Sequence, residues 1–221
     1  MNIKEDFILA LKNPKAAIKV MKEMRQRVKF YSHFQEVFVT QSYYWLYTQI
    51  KPHTILLDIG AFIGDTAIYF AMHPNIDKII AFEPHNRTFK ILKENIDKLP
   101  QSFKEKIIIE NKAVIDKNGF VGVSEKHITG FNKVCSGGGK IIATSLDTEL
   151  KKLNIAGSHI AIKCDTEGSE YKIFANSNLK NVYALQIEFH KGYKNLSKKF
   201  TKFHFHVNIS GQNIGYLYAK K

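Results

Sequence analysis

From His53 onward the chain alternates short apolar runs with segments of helical period. The runs predict strands at 54–59, 78–83, 106–111, 159–164 and 182–189. Between them the pattern predicts helices at about 65–73, 86–98, 146–153 and 169–176. TILLDI and AIKCD are apolar almost without interruption, as strands covered on both faces of a parallel sheet must be. Residues 114–145 break the rhythm: FVGVSE and KIIATS read as an inserted pair of strands, with Gly137, Gly138 and Gly139 marking a loop. Near the end, Thr201, Phe203, Phe205, Val207 and Ile209 share one face of a strand, and Lys202, His204, His206 and Asn208 share the other. That half-exposed strand, the turn SGQNIG and a strand at 216–219 predict an antiparallel hairpin added to the parallel sheet.

The N-terminal stretch follows a different period. No glycine precedes Gly60, and Ala17, Ile18, Met21, Met24 and Val28 recur at three- and four-residue steps among Lys19, Lys22, Arg25 and Arg27. This is the pattern of an amphipathic basic helix beginning after Pro14. A second, aromatic-rich helix is predicted from Phe34 to Ile50, stopped by Pro52. The expected organisation is a helical extension over 1–52, packed on the core, and one α/β domain over 53–221 that carries the insertion at about 114–145.

Composition narrows the picture. The chain has 221 residues, 44% hydrophobic and 24% charged, with 13 Gly and 5 Pro. These values fit an ordinary globular domain and exclude disordered and collagen-like classes. Two cysteines, Cys135 and Cys164, cannot build a disulfide framework, and Met1 is followed by mixed charges with only a short apolar run, 7–11. The expected compartment is therefore the reducing cytoplasm. No run approaches the roughly 18 apolar residues of a membrane span. The charge is the unusual quantity: 33 Lys and Arg against 20 Asp and Glu leave +13. This raises nucleic acid, acidic headgroups and anionic substrates as partners without choosing among them.

Chemistry enters with LLDIGAFIGDTA, a buried strand, an acid, a glycine turn and a helix opening at Asp65. Gly60 and Gly64 let backbone approach a ligand at the carboxyl end of the strand, where doubly wound sheets bind ligands. The dinucleotide fingerprint G-x-G-x-x-G is not matched, and Asp58 and Asp65 would repel a pyrophosphate at the helix N-terminus. A cationic ligand suits those acids better. S-adenosylmethionine (SAM), with its sulfonium and amino groups, is such a ligand. The following strand ends at Glu83, where a carboxylate can accept both hydroxyls of a ribose, and Pro84 sets the turn.

Four ordered segments, DIGAFIGDT, AFEPHNRTFKILKEN, NKAV with TSLDTEL, and IKCDTEGSEYKIF, resemble the FkbM-type family of class I SAM-dependent methyltransferases over about 54–188. The resemblance implies a Rossmann-like, mostly parallel seven-stranded sheet of order 3-2-1-4-5-7-6 and O-methylation of a sugar hydroxyl or small metabolite. It implies that Asp58, Gly60, Ala61, Phe62, Gly64, Asp65 and Thr66 form the methionine-side loop. Glu83 and Pro84 match the ribose acid and its turn, and Asn111, Lys112 and Ala113 the adenine side. Phe62 stands where the family usually has a small polar residue.

Methyl transfer requires an acceptor oxygen held against the methyl group and relieved of its proton. Asp165, at the end of its strand, is placed to contact the cofactor amino group or to act as base, and Glu167 and His190 face the same crevice as further catalytic candidates. Glu170 reads as a first-turn helix acid. A metal on Asp165 with Glu188 or His190 lacks diagnostic spacing, so none is assigned, and His204 with His206 reads as an exposed polar face. The expected partner is a small-molecule or glycan acceptor. The alternatives are an RNA-modifying methyltransferase and a SAM- or nucleoside-binding module without turnover.

Overall fold

Alternate side chains of the first strand enter two different cores, which is why its sequence is apolar throughout. The computed structural model describes residues 37–38, 40–123, 134–135, 140–153 and 157–221. The basic helix expected after Pro14 and the glycine triplet 137–139 lie outside the described residues.

In chain order the elements are α1 (Tyr44–Gln49), β1 (Thr54–Ile59), α2 (Asp65–Ala71), β2 (Ile76–Phe82), α3 (Asn86–Asp97), α4 (Gln101–Lys104), β3 (Ile107–Glu110), β4 (Lys112–Ile115), β5 (Gly119–Val123), β6 (Val134–Cys135), β7 (Ile141–Ser145), α5 (Leu146–Lys152), β8 (His159–Asp165), α6 (Glu170–Ala175), β9 (Val182–Phe189), α7 (Lys194–Ser197), β10 (His204–Ile209) and β11 (Gly215–Lys220). The large sheet runs β3-β2-β1-β8-β9-β11-β10, parallel from β3 to β9, with β11 antiparallel to β9 and to β10. The mostly parallel sheet and the terminal hairpin are as the sequence predicts.

The order differs in detail between β3 and β8. There the chain makes four strands rather than an inserted pair, and they form a second sheet, β4-β7-β5-β6. The expected strand at 106–111 is interrupted at Asn111, whose side-chain amide donates to the carbonyls of Glu83 and Pro84 at 2.9 and 3.2 Å. That anchor turns the chain from the large sheet into β4.

On β1, Leu56 joins one core with Ala161, Ala184 and the apolar faces of α1, α2 and α3. Ile55, Leu57 and Ile59 join the other, with Ile162, Leu185, Ile187, Leu217 and residues of α5, α6 and α7. Helices thus cover both faces, as a buried parallel sheet requires. The aromatic segment before β1 belongs to this packing: Val37, Phe38, Tyr43, Leu46 and Tyr47 are buried against α2. It is not one continuous helix, because Gln41 takes a left-handed φ of 56° and the chain turns at 40–43 before α1 begins. At the far edge β10 has no partner beyond β11 among the described residues, and Phe205 and Ile209 are 43% and 59% exposed on a face whose alternation predicted burial.

Candidate active site

The carboxyl ends of β1, β2, β8 and β9 gather the charged residues of the site, and the register of the sheet decides which of them meet. Asp58 lies directly beside Lys163 across β1 and β8, and Asp165 beside Glu188 across β8 and β9. The Lys163 ammonium reaches Asp58 Oδ1 at 3.1 Å and donates to the Gly60 carbonyl at 2.7 Å, with both side chains almost fully buried. Asp58 Oδ2 accepts from the Thr66 hydroxyl at 2.6 Å. Burial works against the lysine charge, but Asp58, Asp165 and Asp65 outweigh it and hold the ammonium protonated. Asp58, Thr66 and Lys163 therefore form a buried brace behind the glycine turn.

The turn itself is closely packed. Gly60 and Gly64 have φ of 79° and 91°, and Phe62 also has positive φ, 48°. Asn95 on α3 donates to the Ile63 carbonyl at 3.0 Å and ties the turn to that helix. Glu83 ties it to β2: its two carboxylate oxygens accept from the backbone N–H of Phe62 at 3.0 Å and of His85 at 2.8 Å. Burial nevertheless raises Glu83 to about 8, against those two hydrogen bonds and the charge of Lys163.

Of the residues assigned to the adenine side, Asn111 braces the Glu83–Pro84 turn, Lys112 pairs with Glu110 at 2.9 Å, and Ala113 is buried in the small core of the second sheet. Ala61 is also fully buried. Asp65 is the first residue of α2, where an acid suits the helix dipole, and its carboxylate accepts from the Thr66 N–H at 2.9 Å.

The acceptor-side candidates converge. Asp165 ends β8, Glu167 follows with a left-handed φ of 53°, and His190 follows β9. His190 Nε2 lies 3.4 Å from Glu167 and 3.9 Å from Asp165, while Nδ1 is 3.0 Å from Glu170 Oε1. Glu170 is more than a helix-start acid, since Oε1 also accepts from the backbone N–H of Thr166 and Gly168 at 3.1 and 2.9 Å. Burial alone would lower the imidazole, but the bond to Glu170 and the charges of Glu170, Glu167 and Asp165 push it up to about 9. It is a cation at neutral pH. Burial and Asp165 push Glu188 up to about 7, and burial likewise raises Asp165.

Glu188, weighed from the sequence only as a metal ligand, lies beside Asp165 in the sheet. Two residues here escaped sequence reasoning as site members. Lys163 had a signal, being the lone charge inside the apolar run HIAIKC. Tyr43 gave none, because only the fold brings it over the site, where its hydroxyl donates to Asp165 Oδ2 at 3.4 Å and its ring lies 5.4 Å from the Lys163 ammonium. Tyr43→Phe should cost about 1 kcal/mol, the net value of one hydrogen bond. In a chain of this size that lowers the melting midpoint by about 2–4 °C. An unchanged midpoint would show that the ring, not the hydroxyl, carries the contact.

An acid-flanked glycine turn and a strand-end Glu83 on a seven-stranded sheet with a reversed terminal strand define a SAM-dependent methyltransferase of class I architecture. The chain belongs to the FkbM family of these enzymes, since the model of the methyltransferase FkbM domain matches residues 58–218. No protein among the curated sequences matches it. Among solved structures it is similar to a putative rRNA-methylase from Clostridium thermocellum, at TM-score 0.53 and 7% identity over 83% of this chain and 94% of that one. It is also similar to the methyltransferase domain of bacterial CtHen1-C, at TM-score 0.50 and 9% identity over 85% and 97% of the respective chains. At such identities the likeness is one of fold. Among the described residues no helix is long and apolar enough to cross a membrane.

Proposed function

We propose that this enzyme methylates a hydroxyl oxygen of a sugar or another small metabolite, with the glycine turn and Glu83 on the cofactor side and Asp165, Glu167 and His190 on the acceptor side. The observation that carries the reading is the set of carboxylates around the glycine turn. Asp58, Asp65 and Asp165 are all close enough to act on the Lys163 charge, which makes the surroundings suited to a cationic ligand rather than a pyrophosphate. Glu83 uses one lone pair on each oxygen for the backbone and retains others for the two hydroxyls of a ribose. When bound, SAM supplies an electrophilic methyl group on a positively charged sulfur.

The chain's own residues do the rest. The brace of Asp58, Thr66 and Lys163 holds the turn rigid, so cofactor groups meet preorganised backbone. Asp165 is the group nearest both sides. It takes up the proton that the acceptor hydroxyl must lose, with Glu188 beside it to share that proton. His190, charged and held by Glu170, stabilises the negative charge that develops on the acceptor oxygen.

Calorimetry tests the cofactor half. With Glu83 raised to about 8, most molecules carry a proton there at pH 7, whereas donation from ribose hydroxyls favours the carboxylate. SAM binding at pH 7 should therefore release protons, visible as a heat that changes with the ionisation enthalpy of the buffer. Glu83→Gln should abolish that dependence and weaken binding by about 1.5–3 kcal/mol. Tighter binding of NAD than of SAM would overturn the assignment. A screen of hydroxyl acceptors for a gain of one methyl tests the other half. The +13 charge keeps RNA as the competing acceptor, and submicromolar, length-dependent RNA binding at about 150 mM salt would favour it.

A further inference from the structure

Asp165, Glu167 and His190 each present one ligand atom, and these atoms lie within 4.8 Å of one another. Their arrangement has the features of a metal site beyond proximity. The imidazole is oriented from behind: Nδ1 faces Glu170 Oε1, leaving Nε2 turned toward the two carboxylates. A carboxylate that fixes the far nitrogen of a histidine is the usual outer partner of a metal-binding imidazole. Glu170 is itself completely buried, and its other oxygen, Oε2, has no hydrogen-bond partner among the described residues.

The spacing points the same way. Nε2 is 3.4 Å from one carboxylate oxygen and 3.9 Å from the other, too long for one proton to serve both well. Adjacent ligands on an octahedral ion at about 2.1 Å lie about 3 Å apart, so a modest contraction would seat one. Charge agrees. In a protein of net +13, the carboxyl groups of Asp165, Glu167, Glu170 and Glu188 are gathered around this one imidazole.

We propose that Asp165, Glu167 and His190 bind a divalent cation of the magnesium–manganese class, and that this ion holds the acceptor through two neighbouring hydroxyls. A carboxylate-rich set with one imidazole suits that class. Three protein ligands leave open positions, and adjacent positions are spaced for the two oxygens of a vicinal diol, a group common in sugars. The inference rests on the methyltransferase reading and narrows its acceptor. The ion lowers the pKa of a bound hydroxyl. With Asp165 and His190 engaged by the ion, their roles in the cation-free site pass to Glu188 and to the ion: the hydroxyl proton goes to Glu188 or to water, the freed oxygen pair forms the new O–C bond, and the pair of the breaking C–S bond stays on sulfur as S-adenosylhomocysteine leaves.

The test is a titration of the full chain with Mn2+ alone, read by electron paramagnetic resonance, beside a separate calorimetric titration with SAM. One Mn2+ site is expected, competed by Mg2+, and weakened about tenfold or more in Glu167→Gln and Asp165→Asn. With Mn2+ present, a monosaccharide bearing the vicinal diol should bind more tightly than its deoxy analogue. If no Mn2+ binds up to about 5 mM while SAM does, the cation site is wrong and the methyltransferase reading stands. Equal Mn2+ affinity in wild type and both variants would also overturn the site. Failure of SAM to bind, with Mn2+ bound as expected, would strike the cofactor assignment and not the metal ligands. Retained SAM affinity in Glu167→Gln shows that the variant is folded.

Discussion

Replacing Lys163 by alanine is expected to destabilise the protein by about 3–5 kcal/mol, the range for breaking a buried ion pair from one side. The pair sits between two central strands, in register across β1 and β8, with both side chains almost fully buried. Without the ammonium, Asp58 would keep only the Thr66 hydroxyl for its carboxylate, and the Gly60 carbonyl would lose its 2.7 Å donor. The carboxylate would then be left buried without its counter-charge, which is the source of the loss. Denaturant unfolding at pH 7 checks its size. The double variant Asp58→Leu with Lys163→Met should recover most of the stability, because apolar residues of similar volume replace buried ion pairs well. It should not recover SAM affinity if the brace positions the turn. Full stability in Lys163→Ala alone would mean that the pair is solvated and braces nothing.

How far the sequence revealed this site depends on which link of the chain is asked about. The strands at 54–59 and 182–189 were legible to the residue, because continuous apolar runs bounded by acids and turns have few other readings. Strands expected at FVGVSE and KIIATS correspond to Gly119–Val123 and Ile141–Ser145 among the described residues, but KAVI was not separable from IIIE, since only the tertiary anchor at Asn111 divides them. Asp58 and Lys163 were each visible as charges in apolar strands. Their pairing was not, because it follows from the register of strands far apart in the chain. The same holds for Tyr43, which reaches Asp165 only after the turn at 40–43 lays α1 on the sheet. The acids after β8 were found through their motif. What the motif could not give was Glu170 as the fixed support of His190, an arrangement that exists only when the ends of β8 and β9 lie side by side.

Gly60→Ala is the second substitution with a large expected effect, and it separates the geometry of the turn from its charge. The native φ of 79° is itself unfavourable for alanine by about 1–2 kcal/mol. The greater obstacle is steric: a Cβ at this position would lie 1.7 Å from the backbone carbonyl oxygen of Asp165. No rotamer relieves that overlap, because neither atom belongs to a flexible side chain. Either the turn leaves Lys163 and Glu83, or the end of β8 moves and carries Asp165 away from Glu188 and His190. Both routes break buried hydrogen bonds, so a loss of about 4 kcal/mol or more is expected. Gly64→Ala provides the comparison. Its φ of 91° is equally unfavourable, but its nearest neighbour is the end of the Leu92 side chain at 3.1 Å, which can shift. Gly64→Ala should therefore cost distinctly less, by at least the difference between a movable methyl group and a fixed carbonyl. Thermal or denaturant unfolding of the two variants side by side gives the answer. Equal losses would show that backbone handedness alone governs this turn, and that the close approach of β1 and β8 does not constrain the site.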